Sequence, residues 1–171
     1  MSAAPPLAPV RAYIGLGGNL DDPAARIRRA FTALAGLSHT RLAGTSSLYR
    51  TAPVGYLDQP DFINAVAAVD TTLPPLDLLD ALLALELDAG RERSFRNAPR
   101  TLDLDLLLYG DLRLDHPRLT LPHPRMGSRA FVLAPLAELT PGLRIAELGE
   151  VGQLAAACAD QGVKRLAEPA R

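Results

Sequence analysis

The sequence holds almost no cysteine, almost no lysine and no surplus of charge. Its single cysteine, Cys158, excludes an intramolecular disulfide framework and any multi-cysteine metal site. With 18 basic and 19 acidic residues the net charge is −1. A protein whose main business is coating nucleic acid or an anionic membrane needs a large positive excess, so both functions are excluded. No apolar run reaches the roughly 18 residues that span a bilayer. The opening MSAAPPLAP has no basic segment ahead of a long apolar run, so no signal peptide is expected and the chain reads as cytoplasmic.

What is present is a core. Hydrophobic residues make up 48% and charged residues 22% of 171 positions, ordinary values for one soluble domain. Residues 1–9 read as a flexible end and 10–171 as one domain, expected to be a monomer. Of the basic residues, 17 are arginine and only Lys164 is lysine. Base composition accounts for much of this, since Ala, Leu, Pro and Gly are also abundant. Arginine is also the permanently charged fork that grips phosphate, so its placement matters.

Pattern and punctuation place the elements. Val10 to Leu16 reads as a strand ended by Gly17-Gly18-Asn19. Asp21 or Asp22 caps a helix to about Gly36, with Ile27, Ala30, Phe31 and Leu34 on one face. Strands are expected at Thr40–Tyr49 and Phe62–Thr72, with the Pro- and Gly-containing 51–60 stretch as loop. Pro74-Pro75 starts a helix to about Ala89. A polar loop follows, then a strand at Thr101–Tyr109. Arg118–Ser128 reads as irregular, Arg129–Leu139 and Val151–Ala159 as helices. The order β-α-β-β-α-β places two strands together without a helix between them. That favours an α+β, ferredoxin-like antiparallel sheet with C-terminal additions over a doubly wound one. Such a fold settles no function.

The strongest local signal is PRTLDLDL. Alternation puts Leu102, Leu104, Leu106 and Leu108 toward the core, with Thr101, Asp103 and Asp105 on the opposite face. Cα atoms two apart on a strand are about 6.5–7 Å apart. One reading is a half-solvated strand with an acidic outer face. The other is an oxygen-only site for Mg²⁺, shared with phosphate. Arg91, Arg93, Arg96 and Arg100 directly precede it, and Arg118, His123, Arg125 and Arg129 form a second basic group. These serve as salt-bridge partners and solvated loops, or as the guanidinium groups that metal–polyphosphate chemistry uses.

The GLGGN turn is no nucleotide fingerprint, because Leu20 stands where a third glycine is needed. His39 and His116 read as surface residues and Cys158 as a buried small residue. Phe62 and Asn64 share a strand face. They are a core aromatic and an edge amide, or a stacking ring and an edge reader for a flat heterocycle.

Taken together, YIGLGGNL, SSLYRTAPVGYLDQPDFINAV, LELDAGRERSFRNAPRTLDLDLLLYG and LTLPHPRMGSRAFVLAPLAEL resemble the 6-hydroxymethyl-7,8-dihydropterin pyrophosphokinase family of folate biosynthesis. The likeness runs in order over about residues 12–141. It implies transfer of a diphosphate from ATP to the pterin hydroxymethyl group, giving AMP, with two Mg²⁺ ions. Asp103 and Asp105 correspond to metal ligands. Thr51, Ala52, Val54, Phe62, Asn64 and Phe131 correspond to the pterin pocket. Glu86, Arg93, Arg100, Arg118, Thr120, His123 and Arg129 correspond to the ATP side. Arg91 and Arg100 resemble the loop arginines that close over the phosphates. Many members carry a Trp just before Gly-Pro-Arg; here the residues are Asn97-Ala98-Pro99-Arg100. The small-molecule partners implied are ATP and the dihydropterin, with no nucleic acid or membrane. The acidic Asp103–Asp105 face argues against an RNA-binding sheet of the same topology. A non-catalytic ligand-binding module would need neither aspartate.

Overall fold

The computed structural model describes residues 8–53, 57–89 and 102–167. β1 (Val10–Gly18) leads into α1 (Pro23–Ala35), whose first turn is capped by Asp22: its carboxylate accepts the Ala25 N–H at 3.3 Å. Pro23 begins the helix without loss, because an N–H there has no intrahelical partner. β2 (Thr40–Thr45), β3 (Tyr49–Thr51) and β4 (Phe62–Thr71) follow, then α2 (Pro75–Asp88) and β5 (Asp103–Tyr109).

All the pairings in this sheet are antiparallel, in the order β10-β3-β4-β1-β5 with β2 also on β4. β10 (Lys164–Arg165) is a late addition to the β3 edge. This is the ferredoxin-like arrangement, with one feature beyond the sequence expectation. Thr40–Tyr49 contains the expected strand as β2, and after a break β3 begins at Tyr49. At the break the Val66 N–H donates to the Ser46 hydroxyl at 2.9 Å, and the Ser46 N–H donates to Val66 O at 2.8 Å. A side chain replaces one rung of the ladder, which the residue pattern could not show.

Each sheet face carries its own core. On one face Ile14, Leu16, Val69, Leu104 and Leu106 pack against Ile27 and Leu34 of α1 and Leu78 and Leu82 of α2. Each such side chain stabilises the fold by about 1.5–3 kcal/mol when fully buried. On the other face Tyr13, Val66 and Ala68 pack under α3 (Ala130–Leu139) and α4 (Val151–Ala157).

Leu108 corrects the strand reading. Pairing jumps from Tyr13–Leu108 to Ile14–Leu106, so Leu107 is an extra residue. This bulge turns Leu107 and Leu108 into the second core and returns Tyr109 to the first. The stretch expected to be irregular also holds structure. β6 (Leu114–His116) and β7 (Leu119–Leu121) form a hairpin, and Met126–Ser128 is one 3₁₀ turn. Two further short strands, β8 (Arg144–Ile145) and β9 (Gly149–Glu150), pair with each other.

Candidate active site

The second face is only partly roofed by the C-terminal helices, and the site lies along one row of the sheet. Register places Asp103 opposite Gly17, Gly17 opposite Asn64 and Asn64 opposite Tyr49. With strands about 4.8 Å apart, Asp103 and Asn64 lie about 9–10 Å from each other at Cα. Gly17 has no side chain because there is no room for one. A Cβ there would lie 2.8 Å from Asn64 Oδ1.

Asn64 is 6% exposed, and among the described residues its Nδ2 has no hydrogen-bond partner. A buried donor left unpaired costs about 1–3 kcal/mol, so such an atom calls for a ligand acceptor. Phe62 shares the face of Asn64, and Thr51 is its cross-strand partner on β3. Ala52 follows on the exposed side. Phe131 stands half-buried in the first turn of α3, which lies across β4. The Arg129 guanidinium sits 5.4 Å from its ring centre. Asn19 of the glycine turn holds the loop leading into β4: its Nδ2 donates to Gln59 Oε1 at 2.8 Å and Pro60 O at 2.9 Å.

The carboxylate strand behaves as its alternation required between 102 and 106. Leu102, Leu104 and Leu106 are buried, Asp103 is half-buried and Asp105 exposed. β5 is the sheet edge, so its outward N–H groups need partners. Glu86 supplies one: its Oε2 accepts the Leu104 N–H at 2.7 Å. At 3% exposed, Glu86 grips the strand between the two aspartates from behind and is not among the cleft's lining residues.

A cleft of about 250 Å³ opens beside Asp105, between α2, β5 and the β6–β7 hairpin. Arg118, Thr120 and His123 line it with the apolar Leu79, Leu106 and Leu119. The hairpin thus brings three of the expected nucleotide-side residues to one wall. His116, expected at the surface, lies on the cleft wall as well, and its Nδ1 accepts the Arg118 N–H at 3.1 Å. The LDH and LTL runs around Pro117 were the available signal for that hairpin. Arg118 forms an ion pair with Asp80. Both are well exposed, and such pairs contribute about 0–1 kcal/mol, so a phosphate competes easily for the arginine.

Burial holds the His123 imidazolium pKa below its usual range, and the charges of Arg129 and Arg125 push it the same way. Its Nδ1 accepts the Arg125 N–H at 3.3 Å, which leaves the proton of the neutral ring on Nε2, as a donor. Val54, Arg91, Arg93, Arg96, Arg100 and Thr101 lie outside the described residues.

Among the described residues no group of three or more His, Cys, Asp or Glu surrounds a common point. Two neighbouring carboxylates are nevertheless what Mg²⁺ takes from a protein, since it keeps waters and substrate phosphates as its other ligands. The donor set therefore fits that ion.

Comparison with known proteins identifies the family. The profile of the 7,8-dihydro-6-hydroxymethylpterin-pyrophosphokinase family matches residues 13–141. A 2-amino-4-hydroxy-6-hydroxymethyldihydropteridine pyrophosphokinase of Pseudomonas aeruginosa is 53% identical over 156 residues, covering 91% of this chain and 96% of that protein. The Haemophilus influenzae protein of the same name is 43% identical over 157 residues, covering 92% and 98%. In structure, the wild-type HPPK-DHPS chain of Plasmodium falciparum superposes with a TM-score of 0.72 at 15% identity, a likeness of fold. That alignment covers 92% of this chain and 46% of the longer one, so the present chain spans about half of it. The family match over residues 13–141 and the identity to curated relatives over most of the chain lead to one conclusion: the chain belongs to the 7,8-dihydro-6-hydroxymethylpterin-pyrophosphokinase family.

Proposed function

We propose that Asp103 and Asp105 hold two Mg²⁺ ions between a pterin slot on β3, β4 and α3 and a nucleotide cleft on the β6–β7 hairpin, within one domain over residues 10–171. Membership of the family gives the reaction, pyrophosphoryl transfer to hydroxymethyldihydropterin in folate biosynthesis, with ATP as co-substrate. The observation that carries the layout is the row Asn64–Gly17–Asp103. It sets an unpaired buried donor and a carboxylate on either side of a position without a side chain.

In this reading Phe62 and Phe131 stack on the ring and the Asn64 carboxamide hydrogen-bonds its edge. Thr51, Ala52 and Val54 close the slot, in part through backbone groups. The hydroxymethyl group then points across Gly17 toward the aspartates. Arg118, Thr120 and His123 bind the nucleotide, the imidazole through its Nε2–H. Arg129, Arg93 and Arg100 take phosphate oxygens, and Arg91 and Arg100 close over them. Glu86 serves the nucleotide side indirectly, by fixing the strand that carries both carboxylates.

The pterin oxygen forms a bond to the β-phosphorus as the bond from that phosphorus to the α–β bridging oxygen breaks, and AMP leaves. Magnesium, when bound, neutralises phosphate charge and orients the triphosphate. The guanidinium groups offset the charge that grows on the leaving AMP. In a loose phosphoryl-transfer transition state the hydroxyl proton departs late, so a weak acceptor suffices. Both substrates are small, and the chain works as a cytoplasmic monomer.

Incubation with ATP, Mg²⁺ and 6-hydroxymethyl-7,8-dihydropterin tests the reading. AMP and the pterin diphosphate are expected, and leaving out the metal should abolish both. Appearance of ADP in place of AMP would show attack at the γ-phosphorus and overturn it.

A further inference from the structure

Glu138, near the C-terminal end of α3, is not among the residues lining the cleft, yet its carboxylate gathers donors from three residues, Ser47, Tyr49 and Arg165. The Ser47 N–H donates to both of its oxygens at 3.0 Å, and the Ser47 hydroxyl to Oε2 at 3.1 Å. The Tyr49 hydroxyl donates to Oε1 at 2.7 Å, and Arg165 reaches Oε2 at 3.4 Å. These bonds join α3 to the segment between β2 and β3 and to the added strand β10.

The position of this knot matters. Tyr49 is the cross-strand partner of Asn64, and Thr51 that of Phe62. Directly opposed residues project from the same face, so the Tyr49 ring stands beside the Asn64 carboxamide. At the other end of α3 stands Phe131, seven residues before Glu138 and therefore on the same helix face, about 10 Å away. Pro135 lies between them inside the helix, and its nitrogen offers no N–H to the Phe131 carbonyl. With its own ladder interrupted there, α3 depends on what holds its two ends. Gln161 holds the first: its Oε1 accepts the Ala130 N–H at 3.0 Å and its Nε2 donates to Ser128 O at 2.9 Å. Glu138 holds the second.

We propose that Glu138 is a positioning residue for pterin binding. Its carboxylate ties the helix that carries Phe131 to the strand that frames Phe62 and Asn64, and so sets the width of the slot between them. This rests on the reading of Phe62, Asn64 and Phe131 as the pterin pocket. The phenol of Tyr49 is pushed well above its ordinary range by burial and by Glu138, so it stays a donor at every working pH.

The test is calorimetric titration of Glu138→Gln and Tyr49→Phe with 6-hydroxymethyl-7,8-dihydropterin in the presence of Mg²⁺ and a non-hydrolysable ATP analogue, and with the analogue alone. Glu138→Gln should raise the pterin Kd roughly tenfold, the scale of one lost charge-assisted hydrogen bond, and leave the analogue Kd within about twofold. Tyr49→Phe, which removes only one hydroxyl, should shift the pterin Kd in the same direction by less. An unchanged pterin Kd in both variants, or an equal loss for both ligands, would overturn the proposal. If Glu138→Gln fails to fold, the Tyr49→Phe titration decides by the same criteria. Phe62→Ala in parallel separates this from failure of the pocket reading, because only in the latter case would pterin binding survive loss of the ring.

Discussion

The proposed pterin half and the proposed nucleotide half of this site are built from different materials. The pterin half is sheet: Asn64, Phe62 and Thr51 are held by ladder register, and Gly17 is as small as the row demands. Its defining polar atom, Asn64 Nδ2, is buried and has no partner among the described residues. The nucleotide half is hairpin and turn: Arg118 and Thr120 are exposed, and Arg118 pairs at the surface with Asp80. A flat, nearly neutral ring is selected by shape and by a few fixed hydrogen bonds, so its pocket must be rigid beforehand. A triphosphate carries its own field, and long arginines can find it from many conformations. The carboxylates lie at the seam, on an edge strand held by Glu86.

Several substitutions can break this division or sharpen it. The largest effect is expected at the seam. Asp103→Ala and Asp105→Ala should fold normally but lower AMP formation by at least about 10³-fold, the scale for losing one preorganised source of transition-state stabilisation. Near-wild-type turnover in either would remove the metal assignment. Next comes the rigid half: Phe62→Ala should weaken pterin binding by roughly 1–3 kcal/mol with the nucleotide Kd unchanged. Gly17→Ala should act through its neighbour. The new Cβ displaces the end of the Asn64 side chain, which can swing, so the protein should fold but bind pterin about tenfold more weakly. Equal losses for both ligands would mean that the two halves are one unit.

The smallest effect concerns His123. Its pKa is lowered in the folded state, so between about pH 6.5 and that lower value the unfolded chain binds a proton that the folded chain does not. Stability contributed by the neutral ring is complete above this window and is lost as pH falls through it. Thermal unfolding of His123→Asn from pH 7.5 to about 5 should show a shallower acid-side fall than the wild type.

The architecture of the molecule was legible where one side chain followed another in a regular period. Alternation around Asp103 and Asp105 identified the carboxylate strand, and the 3.6-residue stripe Ile27–Ala30–Leu34 identified α1. The same rule failed at Leu108, because a bulge at Leu107 adds one residue and flips all that follows. It failed at Ser46, where a hydroxyl stands in for a backbone rung. The place of His116 on the cleft wall was not legible for a related reason. A three-residue strand carries too short a pattern to reveal which side of a hairpin faces a cleft.

The sequence by itself determined the chemistry, because residue type sets what a group can do. Two aspartates on one face, arginines beside them and an aromatic–amide pair left an anion- and metal-handling site and a ring reader as one of two readings each, and the motif resemblance chose between them. Only the tertiary structure decided where those groups meet. Asn64 and Asp103 are 39 positions apart in the chain and come to within two strands of each other through β1. The same packing gave Gly17 its reason, Glu86 its strand and Glu138 its helix. These depend on long-range register and packing, which a local pattern does not encode.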